Sequence, residues 1–182
     1  MRKTNQIFTI PNLLSFVRLL LIPVILWLYC GKENYSWALA VLILSGLTDI
    51  ADGFIARRWN LVSDFGKILD PIADKLTQIA TLWCLVGRFD YMWLPLVILV
   101  AKEALTGIMS LVAVKKSGRV QGADWHGKLS TALLYTVMGL HMLWVNIPLG
   151  ISAVLVAMCV LVMLFSGLLY WYRNLKQIKG YA

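Results

Sequence analysis

From Leu149 to Tyr172 the chain runs 24 residues without one charged side chain. As an α-helix that stretch is about 36 Å long, more than the ~30 Å hydrocarbon core of a bilayer. A soluble domain of 182 residues has too little interior to cover such a helix on every side. The stretch reads as a membrane span, and five others come close to it: Leu13–Tyr29, Trp37–Ile55, Phe65–Val86, Tyr91–Val114 and Leu129–Asn146. Composition agrees. Hydrophobic residues make up 60% of the chain and charged ones 14%, against ~45–50% and ~25% in soluble domains. The mean hydropathy is +0.75. These values argue against a soluble enzyme, a disordered chain and a disulfide scaffold. The expected fold is an all-α integral membrane protein of six transmembrane helices, one domain over residues 1–182.

Met1–Lys3 is not followed by a small-residue cleavage site, so the first apolar stretch is expected to be retained. Thr9-Ile10-Pro11-Asn12 reads as a helix start, with Pro11 in the first turn. An N-terminal amphipathic segment lying at the membrane surface is expected before the first span.

Lys and Arg placement orients the bundle. Arg2, Lys3, Arg57, Arg58, Lys115, Lys116, Arg119, Lys128, Arg173, Lys176 and Lys179 fall on one side, and only Lys32 and Arg88 on the other. The positive-inside rule puts both termini and the loops 57–64 and 115–128 in the cytoplasm; the expected location is a bacterial inner or plasma membrane. Trp27, Tyr29, Tyr35, Trp37, Tyr91, Trp93 and Trp144 gather at the opposite ends, where an aromatic belt belongs. The net charge of +8 is explained by leaflet contact; a nucleic-acid partner is not expected. Cys30, Cys84 and Cys159 lie far apart in sequence and read as buried apolar thiols, not a disulfide or zinc framework.

The acids break this apolar pattern. Five of nine fall within 26 residues, and Asp49, Asp52, Asp70 and Asp74 sit inside the second and third spans. A carboxylate at membrane depth costs about 2.5–3.5 kcal/mol, so four unpaired ones cost on the order of 10 kcal/mol. Their spacing shows how they can be neutralised. Asp49 and Asp52 are three apart and share one helix face; Asp70 and Asp74 are four apart and share another. In an antiparallel hairpin turning near Trp59–Ser63, both cross-pairs, Asp49 with Asp74 and Asp52 with Asp70, are centred near Leu61 and lie at one level. Four convergent carboxylates form a hard-cation site suited to Mg²⁺, Mn²⁺ or Ca²⁺. Two Mg²⁺ or Mn²⁺ ions would balance the charge and can clamp a diphosphate. Gly53 and Gly66 let a bulky ligand approach the backbone, and Arg57 can fork a phosphate.

Residues 49–74 read Asp49-x-x-Asp52-Gly53-x-x-Ala56-Arg57, eight residues, then Gly66-x-x-x-Asp70-x-x-x-Asp74. The run resembles the signature of the CDP-alcohol phosphatidyltransferase family at all eight fixed positions. The resemblance implies six spans with cytoplasmic termini, a homodimer, and displacement of CMP from a CDP-linked lipid by an alcohol, with two divalent cations. By position, Asp49, Asp52, Asp70 and Asp74 would hold the metals. Asp49, Asp52, Gly53, Ala56, Arg57, Gly66 and Asp70 would contact the CDP moiety, and Asp74 would be the base that deprotonates the acceptor.

Ile10-Pro11-Asn12-Leu13-Leu14-Ser15-x-x-Arg18 and Leu69-Asp70-Pro71-Ile72-Ala73-Asp74-Lys75 resemble segments of phosphatidylglycerophosphate synthases and of the related cardiolipin synthases. Ala101-Lys102-Glu103 and Gly127-Lys128-Leu129-Ser130-Thr131 resemble acceptor elements of the glycerophosphate enzymes, with Lys102 where that family usually has Arg. Lys102, Lys128 and Arg18 are thus expected to meet the acceptor's phosphate. The first reading is CDP-diacylglycerol as donor and glycerol 3-phosphate as acceptor. Phosphatidylglycerol as acceptor, giving cardiolipin, is the nearest alternative. An intramembrane-acid cation or proton transporter is the third, although neither an inverted repeat nor a broken helix supports it. Asp124 and His126 are expected to cap the fifth helix, His141 to be packed, and Arg173–Lys179 to anchor to the leaflet.

Overall fold

A computed structural model describes residues 9–58, 66–117 and 124–180, with all side chains in these ranges except those of 10, 11, 52–57, 67, 68 and 117. The described residues form six helices and no strand: α1 Ile10–Leu26, α2 Tyr35–Arg58, α3 Gly66–Val86, α4 Trp93–Ser117, α5 Trp125–Leu143 and α6 Leu149–Ile178. Among the described residues, three stretches are long and apolar enough to cross a membrane: Asn12–Gly31, Trp93–Lys116 and Leu149–Ile178, with mean hydropathies of 2.2, 2.0 and 2.6. In α2 the apolar run stops at Ala51, where the acids intervene. α3 carries Lys67, Asp70, Asp74 and Lys75, and α5 carries two histidines and Lys128. The expected N-terminal amphipathic segment and the turn near Trp59–Ser63 lie outside the described residues.

The interior mixes apolar side chains with many polar ones, and many large apolar side chains lie exposed. Ser15, Arg18, Ser45, Thr77, Gln78 and Thr81 are wholly enclosed, whereas Leu111, Trp83, Leu161 and Ile108 are each at least 60% exposed. Apolar side chains gain nothing by leaving lipid, so polar ones take the interior. This pattern and the three apolar helices are those of a membrane protein.

The chain divides into two compact units, Met1–Cys84 and Leu85–Ala182. In the first, Thr9 caps α1 as the sequence suggested: its Oγ1 accepts the Asn12 N–H at 3.4 Å, and proline occupies the first turn. Pro23 supplies no N–H within α1, and the helix ends in a π-helical turn, Trp27–Gly31. Asn34 Oδ1 then accepts the Trp37 N–H, starting α2. α1 packs along α2. Trp27 and Trp37 are exposed, as a belt requires, but Tyr29 is buried and packs edge-on against Tyr35. Cys30 and Cys84 do not stay apart: their sulfurs lie 3.1 Å from each other as free thiols, and Cys30 is exposed. The π-turn after α1 brings Cys30 to the far end of α3, a convergence that sequence distance hides.

In the second unit α4 and α5 both pack on α6. α5 starts four residues before the apolar stretch that announced it, and α6 continues six residues past Tyr172 into the polar tail. Hydropathy marks where a helix can meet lipid; backbone hydrogen bonding carries it further.

Candidate functional site

The helix ends fix the depth of the acids. Asp49 lies nine residues before the end of α2 and Asp74 eight after the start of α3, so each sits about 12–14 Å along its helix. Asp70 and Asp74 are near enough for their charges to act on Asp49. The described residues do not gather three metal-ligating side chains around one point; the side chain of Asp52 lies outside them, as do those of Gly53, Ala56 and Arg57. Gly66 is the first residue of α3 and is buried.

α1 joins the two acid-bearing helices. Its Ser15 hydroxyl donates to Asp70 Oδ1 in a short hydrogen bond. One turn on, Arg18 Nη1 lies 2.7 Å from Asp49 Oδ1. Arg18 is fully buried, and at that depth a guanidinium is sustained only by such a partner. Arg18, expected to meet an acceptor phosphate, stands beside the acid centre. Asp74 Oδ2 accepts from Gln78 Nε2 at 2.9 Å and has Lys75 Nζ at 3.8 Å. The structure thus brings together Arg18, Asp49, Asp70 and Asp74. It adds Ser15 and Gln78, which sequence reasoning missed. The signal for Gln78 was present: Asp70, Asp74 and Gln78 recur every four residues and share one face of α3.

Lys102 and Lys128 belong to the second unit. The Lys102 side chain is 91% buried and pairs with Glu103 at 3.0 Å. It lines a groove of about 380 Å³ between α4 and α6 whose other walls include Ile98, Leu105, Met163 and Trp171. Gly167 makes room for its stem: a Cβ there would lie 3.2 Å from Lys102 Cγ. Lys128 is exposed in the first turns of α5.

A second polar cluster, at the meeting of α5 and α6, has another character. Asp124 stands at the cap position of α5 but caps nothing with its side chain. Its Oδ2 instead lies 2.5 Å from Arg173 Nη1 and 3.2 Å from His126 Nε2. His126 Nδ1 meets Ser166 Oγ at 3.0 Å. The Asp124 N–H donates to the Tyr170 hydroxyl at 3.1 Å, and Arg173 covers the Tyr170 ring at 4.8 Å. The Ser-His-Asp connectivity is that of an acid–base relay, yet Ser166 is wholly buried and the carboxylate is shared with Arg173. The cluster is a clasp. Arg173, expected to anchor to lipid headgroups, is part of it because α6 extends far enough to reach Asp124. His141 is packed, as expected, between Val137 O at 2.8 Å and Ser152 Oγ at 2.9 Å.

A sequence model described as CDP-alcohol phosphatidyltransferase matches residues 8–171. A *Streptomyces coelicolor* protein named cardiolipin synthase (CMP-forming) is 45% identical over 113 residues, covering 59% of this chain and 52% of that protein. A *Bacillus subtilis* CDP-diacylglycerol–glycerol-3-phosphate 3-phosphatidyltransferase is 34% identical, covering 94% of this chain and 98% of that protein. A *Mycobacterium tuberculosis* protein, named probable phosphatidylglycerophosphate synthase, is 32% identical over 96% of this chain and 86% of its own length.

Proposed function

This chain belongs to the CDP-alcohol phosphatidyltransferase family, and from that premise we propose that it transfers the phosphatidyl group of CDP-diacylglycerol to glycerol 3-phosphate, releasing CMP. The observation that carries the reading is the acid centre: Asp70 and Asp74 of α3 close enough for their charges to act on Asp49 of α2, on the helices that bear the complete family signature. Of two relatives matched over most of their length, one is named for glycerol 3-phosphate and the other as a probable phosphatidylglycerophosphate synthase, which favours that acceptor. Phosphatidylglycerol is the second reading. It is favoured by the name of the Streptomyces relative, over whose length this chain spans about half, and by the apolar walls around Lys102.

The donors at this centre are carboxylate oxygens joined by a serine hydroxyl, a set that fits Mg²⁺ or Mn²⁺ and not a soft metal. Asp49, Asp52, Asp70 and Asp74 would hold two such ions. When bound, they supply positive charge against the donor's diphosphate.

The remaining chemistry belongs to the chain. Asp49, Asp52, Gly53, Ala56, Arg57, Gly66 and Asp70 bind the CDP moiety. Arg18 holds Asp49 in place. Asp74 takes the proton from the acceptor hydroxyl, whose oxygen attacks the phosphorus that bears the diacylglycerol. The bond from that phosphorus to the bridging oxygen breaks, and CMP leaves with the bond pair. Lys102 and Lys128 meet the acceptor's phosphate. The protein works as a homodimer of single 1–182 domains in a bacterial inner membrane, with six spans and with termini and site facing the cytoplasm.

The test is direct. Purified protein with CDP-diacylglycerol, Mg²⁺ or Mn²⁺ and glycerol 3-phosphate forms phosphatidylglycerophosphate and CMP. Turnover with phosphatidylglycerol but not glycerol 3-phosphate would establish the second reading; CMP release with neither would defeat both.

A further inference from the structure

Beyond Asp74 the polar face of α3 continues inward as Thr77, Gln78 and Thr81, all wholly buried. The three do not spend their hydrogen bonds alike. The Thr77 hydroxyl donates to the Ala73 carbonyl and that of Thr81 to the Thr77 carbonyl, both at 2.9 Å. Each threonine is thereby satisfied by its own helix, a common arrangement in an apolar setting. Gln78 is different. Its Nε2 donates to Asp74 Oδ2 at 2.9 Å, and its Oε1 has no hydrogen-bond partner among the described residues.

A buried amide with half its capacity unmet is costly, and apolar side chains of similar size would fill the space at less expense. The part of Gln78 that is satisfied is the part that faces the acid. The amide has one productive orientation there: turned over, Oε1 would face a carboxylate oxygen, acceptor against acceptor. Lys75 also approaches Asp74 Oδ2, but at 3.8 Å, beyond hydrogen-bond reach and without directional control. Gln78 therefore gives that oxygen a directional hydrogen bond from within its own helix face.

We infer that Gln78 is a positioning residue of the reaction centre, holding Asp74 through Oδ2 in the orientation that both metal ligation and proton abstraction require. The inference rests on the reading of Asp74 as ligand and base. Carboxylate ligands are ordinarily held by such hydrogen bonds, and loss of the holding group typically costs 10–100-fold in metal affinity or activity.

The experiment uses the full-length protein with Gln78→Met, which keeps much of the volume and removes the donor, and Gln78→Glu, which keeps the length and replaces the donor with an oxygen. Mn²⁺ binding is followed by the loss of the free-ion electron paramagnetic resonance signal, without substrate. kcat and the KM for CDP-diacylglycerol are measured in parallel, with Asp74→Asn as reference. Both Gln78 variants should bind Mn²⁺ about ten- to a hundredfold more weakly, and kcat should fall more than the KM for CDP-diacylglycerol rises. Asp74→Asn combined with Gln78→Met should be no worse than Asp74→Asn alone, because Gln78 acts through Asp74.

Wild-type Mn²⁺ affinity and kcat in either Gln78 variant, beside an impaired Asp74→Asn, would overturn the inference. So would equal further losses in the double variant. An Asp74→Asn protein that binds Mn²⁺ and turns over normally would instead remove the reading of Asp74 beneath it. Should Gln78→Met fail to accumulate, Gln78→Glu alone decides.

Discussion

Among the described residues, two polar clusters differ in how charges of one sign and the other are gathered. In the clasp, Asp124 is met by Arg173, His126 and, through its N–H, the Tyr170 hydroxyl. The acid centre is built the other way. Carboxylates on two helices lie in one another's field, with Arg18 committed to Asp49 and Gln78 to Asp74. A cluster whose charges are met within the protein holds helices together. One that concentrates like charge at membrane depth is costly unless something else binds there. The contrast predicts a double dissociation: variants in the first unit's centre alter chemistry, and variants in the clasp alter stability.

Metal removal probes the difference most strongly. Excess EDTA should abolish CMP release, with activity restored by Mg²⁺ or Mn²⁺, while the clasp has no use for either ion. Full CMP release in the presence of chelator would sink the two-metal account. Next comes Asp74→Asn, expected to lower turnover by ~10²–10⁴-fold, the worth of a positioned base, while CDP-diacylglycerol binding largely survives. Asp49→Asn should weaken nucleotide binding as well, since it removes a charged ligand and the carboxylate paired with Arg18. If calorimetry finds both variants equally impaired in binding, Asp74 has no separate role as base.

A smaller effect is expected from the cations of the second unit. A charge-assisted contact is worth about 1.5–3 kcal/mol, or roughly one to two decades in KM. Lys128→Ala and Lys102→Ala should therefore raise the KM for glycerol 3-phosphate by about that much and leave the KM for CDP-diacylglycerol nearly unchanged. An unaltered glycerol 3-phosphate KM in the double variant favours the phosphatidylglycerol reading.

The clasp itself should give the smallest change. Arg173→Ala removes a partly exposed ion pair, so the loss is modest; on the order of 1 kcal/mol corresponds to a fall of about 2–4 °C in Tm for a chain of this size. kcat should stay within twofold. Gly127→Ala attacks the same clasp sterically, because a Cβ there collides with the Tyr170 hydroxyl and lies 3.0 Å from Cε2 and Cζ. Should Arg173→Ala leave melting unchanged but cut kcat tenfold, the clasp would belong with the chemistry and the comparison would collapse.

Much of this was written in the sequence. An uninterrupted apolar run declares a span because lipid offers no partner to a polar group. Four acids inside such runs declare a site because nothing else justifies their cost. Thr9 and Pro11 announced the start of α1 through local chemistry that needs no distant partner. These features depend on spacing along one helix and on the solvent around it, and both are legible in one dimension. What the sequence left open depends on which helix lies beside which. Arg18 read as an acceptor cation, and only the packing of α1 along α2 showed that its guanidinium lies on Asp49. Asp124 read as a cap until α6 ran long enough to bring Arg173 to it. Cys30 and Cys84, 54 residues apart, meet where Cys30 lies in the π-helical turn that follows α1. Gln78 had the right periodicity, but only the fold showed that its amide is spent on Asp74 while its neighbours satisfy themselves. Partner choice among buried polar groups is a three-dimensional property, since a hydrogen bond or ion pair needs its two ends within about 3 Å and the chain order does not say which ends will meet.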